Sequence, residues 1–110
     1  MPELIKPKGR PKKYRLIRFN PPINQFSPRG RPGRPMVVEL SLDEFEAIRL
    51  IDFLGLSQKE VAKFMRVSQQ TVSRILKRAR RAISLALVEG AMIKIQGGQY
   101  VYTQKQIIQD

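Results

Sequence analysis

The chain has 110 residues, with 21 Lys and Arg against 9 Asp and Glu for a formal net charge of +12. That length holds one core, and that charge favours a polyanionic partner. Cys and His are both absent, which excludes disulfides, thiolate metal sites, cysteine nucleophiles and the commonest general base. No cofactor, metal site or enzymatic activity is therefore expected. No apolar run reaches the roughly 18 residues of a membrane span, and residues 1–10 lack the apolar core of a secretory signal, so the expectation is a cytoplasmic protein without membrane contact.

Residues 1–35 carry ten bases and one acid and hold all eight prolines, which forbids a long helix there. This segment reads as an extended basic arm, with one short strand in residues 14–19 (YRLIRF). Within it, Pro28-Arg29-Gly30-Arg31-Pro32 matches the core of an AT-hook, in which an extended Arg-Gly-Arg enters a narrow A·T minor groove. Residues 9–13, with Arg10, are a partial second copy. The competing reading of both strings is a solvated basic loop.

Residues 36–90 read as one helical domain. Met36-Val37-Val38-Glu39-Leu40 has strand character, and Ser41 followed by Glu44 is a capping box that starts a helix at Leu42. Leu42, Phe45, Ile48 and residues 50–54 give that helix a broad apolar face, and Gly55 is placed to stop it. Its acids, Asp43, Glu44 and Glu46, suit a packing helix kept away from any polyanion.

Ser57 and Glu60 form a second capping box, opening a helix of two turns over residues 58–65. So short a helix needs a neighbour to persist. Ser68 caps a third helix over residues 69–88, whose Val72, Ile75, Leu76, Ala79, Ile83 and Ala86 make one apolar stripe. Its other face carries Gln69, Gln70, Thr71, Ser73 and Arg74, then Lys77, Arg78, Arg80 and Arg81.

Two helices joined by a tight turn, with Val61, Ala62, Met65, Val67, Val72 and Ile75 at the packing positions, make the pattern of a helix-turn-helix. In such a pattern Gln69, Gln70, Thr71, Ser73 and Arg74 read base edges in the major groove, since Gln pairs with adenine, Arg with guanine and the Thr methyl meets thymine. Ser68, Lys77, Arg78, Arg80 and Arg81, with Arg29, Arg31 and Arg10 of the arm, are the phosphate or minor-groove candidates. Many such turns carry Gly where Arg66 stands, because that residue must adopt a left-handed backbone.

The segments "LSLDEFEAIRLIDFLGLSQKEVA", "VSQQTVSRIL", "ARRAISLALVEG" and "IQGG" resemble the small prokaryotic proteins grouped as domain of unknown function 134. That resemblance implies a helix-turn-helix similar to region 4 of sigma factors and a DNA-binding, regulatory role. Relatives of this kind often carry N-terminal cysteines. Here the corresponding stretch is "KKYRLIRF", so no metal or redox role is implied for this chain.

Residues 91–110 read as a β-hairpin and tail, with residues 92–103 forming two runs of β-formers around Gly97-Gly98. A lone hairpin is marginal, so another strand of the chain, from residues 37–40 or 14–19, or a second subunit must complete it. A two-fold homodimer suits a palindromic site. The whole is expected to be a mainly α protein: a sigma region 4-like helix-turn-helix with a small C-terminal β-hairpin and an extended basic N-terminal arm. Its expected function is sequence-specific binding of double-stranded DNA as a transcriptional regulator. An RNA- or ribosome-associated basic protein, or an adaptor contacting the transcription machinery, are the alternatives.

Overall fold

The computed structural model describes residues 14–30 and 33–102 of the chain. In order these form β1 (Arg15–Ile17), β2 (Gln25–Phe26), β3 (Val37–Leu40), α1 (Leu42–Ile48) running into a π-helical turn (Arg49–Phe53), α2 (Gln58–Met65), α3 (Gln69–Glu89), β4 (Met92–Ile95) and β5 (Tyr100–Tyr102). Three helices thus pack with small β-sheets. Among the described residues no helix is long and apolar enough to cross a membrane.

Each helix starts where a serine hydroxyl meets an otherwise orphaned backbone N–H. Ser41 accepts from the N–H of Glu44 while the Glu44 carboxylate accepts from the N–H of Ser41, and Ser57 and Glu60 repeat the arrangement. Gly55, at φ 78°, stands directly after the first helical segment. That segment is not α-helical throughout, because the Leu54 N–H reaches the Arg49 carbonyl five residues back at 2.9 Å. The wider turn rotates the residues after it off the core-facing stripe. Leu50 is accordingly buried, whereas Phe53 and Leu54, expected on the apolar face, are exposed.

α3 is the spine. Val72, Ile75 and Leu76 join Ile17, Ala47, Leu50, Val61 and Met65 in the main core cluster. Farther along, Ala79 packs with Leu40 and Ile95, and Ala86 with Val38 and Ala91. The sheet therefore covers the C-terminal half of α3, and α1 and α2 cover the N-terminal half.

The strands pair differently from the expected C-terminal hairpin. β4 lies between β3, to which it runs parallel, and β2, to which it runs antiparallel, while β5 pairs in parallel with β1. Gly97 and Gly98 do have left-handed backbones, but they do not turn β4 onto β5. The Gly97 carbonyl accepts from the Leu42 N–H at 2.9 Å. A Cβ on Gly98 would collide with the Asp43 carboxylate and lie 2.9 Å from the Ser41 Cβ. The glycine pair lets the chain pass against the start of α1.

The described part of the N-terminal segment, residues 14–30 and 33–35, is also more than an arm. Ile17 is fully buried in the main core, β2 borders β4, and the Tyr102 hydroxyl donates to Asn20 at 2.9 Å. Arg15 reaches Asp43 at 3.6 Å and Gln99 at 2.6 Å, Arg18 lies over the Phe64 ring, and Arg49 lies over the Phe19 ring. Some of the N-terminal positive charge is thereby spent on the fold.

The knot of this arrangement is Glu46, whose side chain is buried on the inner side of α1. Its carboxylate accepts two hydrogen bonds from the Arg49 guanidinium, at 3.0 and 2.9 Å, and one from the Arg18 backbone N–H at 3.0 Å. A buried carboxylate is tolerable only with such partners, and removing one side leaves the rest unpaired in a dry site. Glu46→Ala is expected to cost about 3–5 kcal/mol, read as a lowered urea midpoint at unchanged slope. A loss below about 1 kcal/mol would show that the Arg49 and Arg18 groups find water instead.

Candidate nucleic-acid interface

The geometry of the site is set by the passage from α2 to α3. α2 ends at Arg66, which takes φ 57° and ψ 48°, the only non-glycine residue with positive φ among those described. Its N–H still reaches the Lys63 carbonyl at 3.3 Å, and the next N–H, of Val67, reaches Ala62 at 3.1 Å. Ser68 then restarts the helix by accepting from the Thr71 N–H at 3.0 Å. Val61 and Met65 below the turn and Val72 and Ile75 beyond it are all fully buried. Ala62 and Val67 pack against the same cluster. These contacts fix the direction in which α3 leaves the turn.

With that stripe inward, Gln69, Gln70, Ser73 and Arg74 are exposed, as are Lys77 and Arg81 farther along. Gln70, Arg74, Lys77 and Arg81 follow one another at intervals of three and four, so they share one outward ridge. The sequence-predicted reading residues are thus brought together, with one exception. Thr71 is half-buried, and its hydroxyl lies 2.9 Å from the Ser68 hydroxyl. Both hydroxyls belong to the helix cap, and Ser68 remains exposed.

The cations divide in two. Arg80 makes a two-pronged contact with Asp52, at 2.7 and 3.2 Å, and Arg78 approaches Glu44 at 3.4 Å. Those acids lie on α1 and the π turn, so two of the four expected phosphate contacts on α3 are tied back to the body. The Asp52 carboxylate holds the Arg80 guanidinium above its ordinary range through that hydrogen bonding. Lys77 and Arg81 keep their charge outward, outside the ion pairs found among the described residues. Sequence reasoning passed over Lys63 and Arg66, exposed cations at the end of α2 and in the turn leading to α3. Their signal was their nearness to Ser68, obscured because Arg66 reads first as a turn residue.

Of the arm candidates, Arg29 is exposed beside Gly30, while Arg10 and Arg31 lie outside the described residues. Tyr100 and Tyr102 are not an exposed stacking platform. They meet edge to face at 5.6 Å, half-buried against the main core, and burial raises the Tyr102 hydroxyl above its usual range. Among the described residues no group of three or more Asp or Glu gathers as metal ligands.

A family profile described as "Protein of unknown function DUF134" matches residues 1–103. Among curated relatives, a "UPF0251 protein" of Halothermothrix orenii is 46% identical over 93 residues, covering 84% of this chain and 69% of the relative. One of Syntrophobacter fumaroxidans is 51% identical over 90 residues, covering 81% and 58%. One of Methanococcus vannielii is 45% identical over 94 residues, covering 84% and 72%. The chain thus spans only part of the length of each of these relatives. No solved structure matches.

The left-handed backbone at Arg66 gives a direct test of the turn. A side chain there costs about 1–2 kcal/mol that glycine avoids, partly offset by the greater freedom of glycine when unfolded. Arg66→Gly is expected to raise stability by about 0.5–1 kcal/mol, measured by denaturant unfolding. A loss of stability would mean that the Arg66 side chain contributes more than its backbone costs.

Proposed function

The chain belongs to the DUF134 family, and from that premise we propose that it is a double-stranded DNA-binding protein of the helix-turn-helix kind, acting as a transcriptional regulator. α3 enters the major groove, Gln69, Gln70, Ser73 and Arg74 meet base edges, and Lys77 meets phosphates. Lys63, Arg66 and Arg29 add flanking positive charge. The observation that carries this reading is the division of α3: a buried stripe locked against α2, and opposite it amide and hydroxyl groups followed by Lys77 and Arg81, which stand outside the ion pairs found among the described residues. A helix dressed for solubility alone has no need of polar, uncharged groups gathered at its N-terminal end beside a fixed turn.

The cap at Ser68 supports the same use. It fixes the first turn of α3, from which the groove is read. The ion pairs of Arg78 and Arg80 with Glu44 and Asp52 confine the free cations to the outward ridge. The half-buried Tyr100 and Tyr102 do not form the exposed pair of stacking rings that a single-strand RNA reader uses.

Two measurements test the reading. With about six phosphates engaged, the logarithm of the binding constant falls with the logarithm of salt concentration at a slope of about −5. A slope near zero in a titration of duplex DNA would remove the electrostatic basis of the proposal. On a site selected from random duplexes, Gln70→Ala and Arg74→Ala are each expected to cost about 1–3 kcal/mol and to relax base preference. Both side chains are exposed, so thermal unfolding stays within about 0.5 kcal/mol of the parent. Equal losses on all duplexes would reduce these residues to general charge, and tighter binding of single-stranded RNA would shift the assignment to the RNA reading.

A further inference from the structure

The character of α3 changes along its length. Up to Arg81 it is amphipathic, but Ala82-Ile83-Ser84-Leu85-Ala86-Leu87-Val88 contains no charged residue. Ala86 is buried against Val38 and Ala91, with Ala82 packed on the same cluster. On the opposite side Leu85, Leu87 and Val88 are 41%, 75% and 81% exposed. Ser84 joins them into one patch, since 84–87 and 85–88 are three apart and 84–88 four apart. A helix that is apolar all round is ordinarily buried all round, and here only one side has its cover.

We propose that this uncharged end of α3 seats a second copy of the same chain, related by a two-fold axis. Charge selects that occupant. Arg81 and Glu89 bracket the patch, both exposed and neither in an ion pair found among the described residues. Leu85 lies midway between them. An antiparallel pairing about Leu85 sets each Arg81 near the partner subunit's Glu89, so opposite charges meet at both ends and apolar side chains meet between. The outward ridge of α3 ahead of the patch is basic, and two copies meeting through it would set like charges together.

The inference deepens the DNA-binding reading and rests on it for its purpose. Leu85 lies about 20 Å along α3 from the middle of the segment 69–74. A two-fold joint there holds two such segments up to about 40 Å apart, and inclining the helices brings them to the about 34–36 Å between half-sites one turn apart on a duplex. Three side chains supply less than the about 800 Å² per partner of a standard interface. The association is therefore weak in isolation and gains when one duplex holds both copies.

The absence of cysteine makes the test clean and independent of DNA. Leu85→Cys introduces a single thiol at the joint, and Phe53→Cys introduces one at a site that is 79% exposed elsewhere. Under the same mild oxidant, the full chain carrying Leu85→Cys is expected to form a disulfide-linked dimer about tenfold faster or more than that carrying Phe53→Cys. Adding Leu87→Glu and Val88→Glu is expected to abolish the difference while leaving thermal unfolding unchanged. Equal rates for the two single-cysteine chains would overturn the proposal, whether the C-terminal residues or a different protein then cover the patch. Because no nucleic acid is present, that failure leaves the salt and base-preference measurements standing on their own.

Discussion

The stretch from residue 43 to 52 supplies the carboxylate of each of the four ion pairs described above. Asp43 holds Arg15 of β1, Glu46 holds Arg49, and Glu44 and Asp52 hold Arg78 and Arg80 of α3. The four are not equivalent. Asp43 and Glu46 are buried, where a carboxylate without a cationic partner is costly. Glu44 and Asp52 face solvent-exposed guanidinium groups, where an ion pair adds little stability. The inner pair fastens the N-terminal strand to the first helix. The outer pair shapes charge, leaving α3 with a positive ridge in place of a uniformly positive surface.

What could be read from sequence was local. The three serine caps, both capping boxes, the small Ala62 and the unusual backbone at Arg66 all follow from residues a few positions apart, and all stand where spacing placed them. The sheets were different. β1–β5 and β3–β4 are parallel pairs whose members lie far apart in the chain, and parallel pairing leaves no tight-turn signature. Gly97-Gly98 looked like such a turn because two glycines permit one. Gly98 instead makes room for the side chains of Asp43 and Ser41, more than fifty residues away, and Gly97 faces Glu39. The same limit applied to Arg78 and Arg80, whose partners depend on how α1 crosses α3, and to Phe53, displaced by a π turn that periodicity does not announce.

The candidate face divides along the same line. The residues on it were legible, because a buried stripe at helical spacing fixes what must point away from it. Which of them remain available was not. Ser68 and Thr71 are engaged with one another, and two arginines are engaged with acids of another helix. The proposed reader is therefore narrower than the sequence suggested, with Gln69, Gln70, Ser73, Arg74 and Lys77 as its centre and Lys63 and Arg66 at its edge.

The pairing of β1 with β5 also bears on how the molecule comes into being. Arg15 lies opposite Tyr100 and Ile17 opposite Tyr102, so a strand made before the three helices waits for one made after them. Until then Ile17 lacks its flanking strand, and the helical core must gather without that brace. Closing so long a loop is slow compared with joining neighbours. The two ends of the described fold act as a clasp fastened late, and a nick or deletion near either end would undo the seam from both sides.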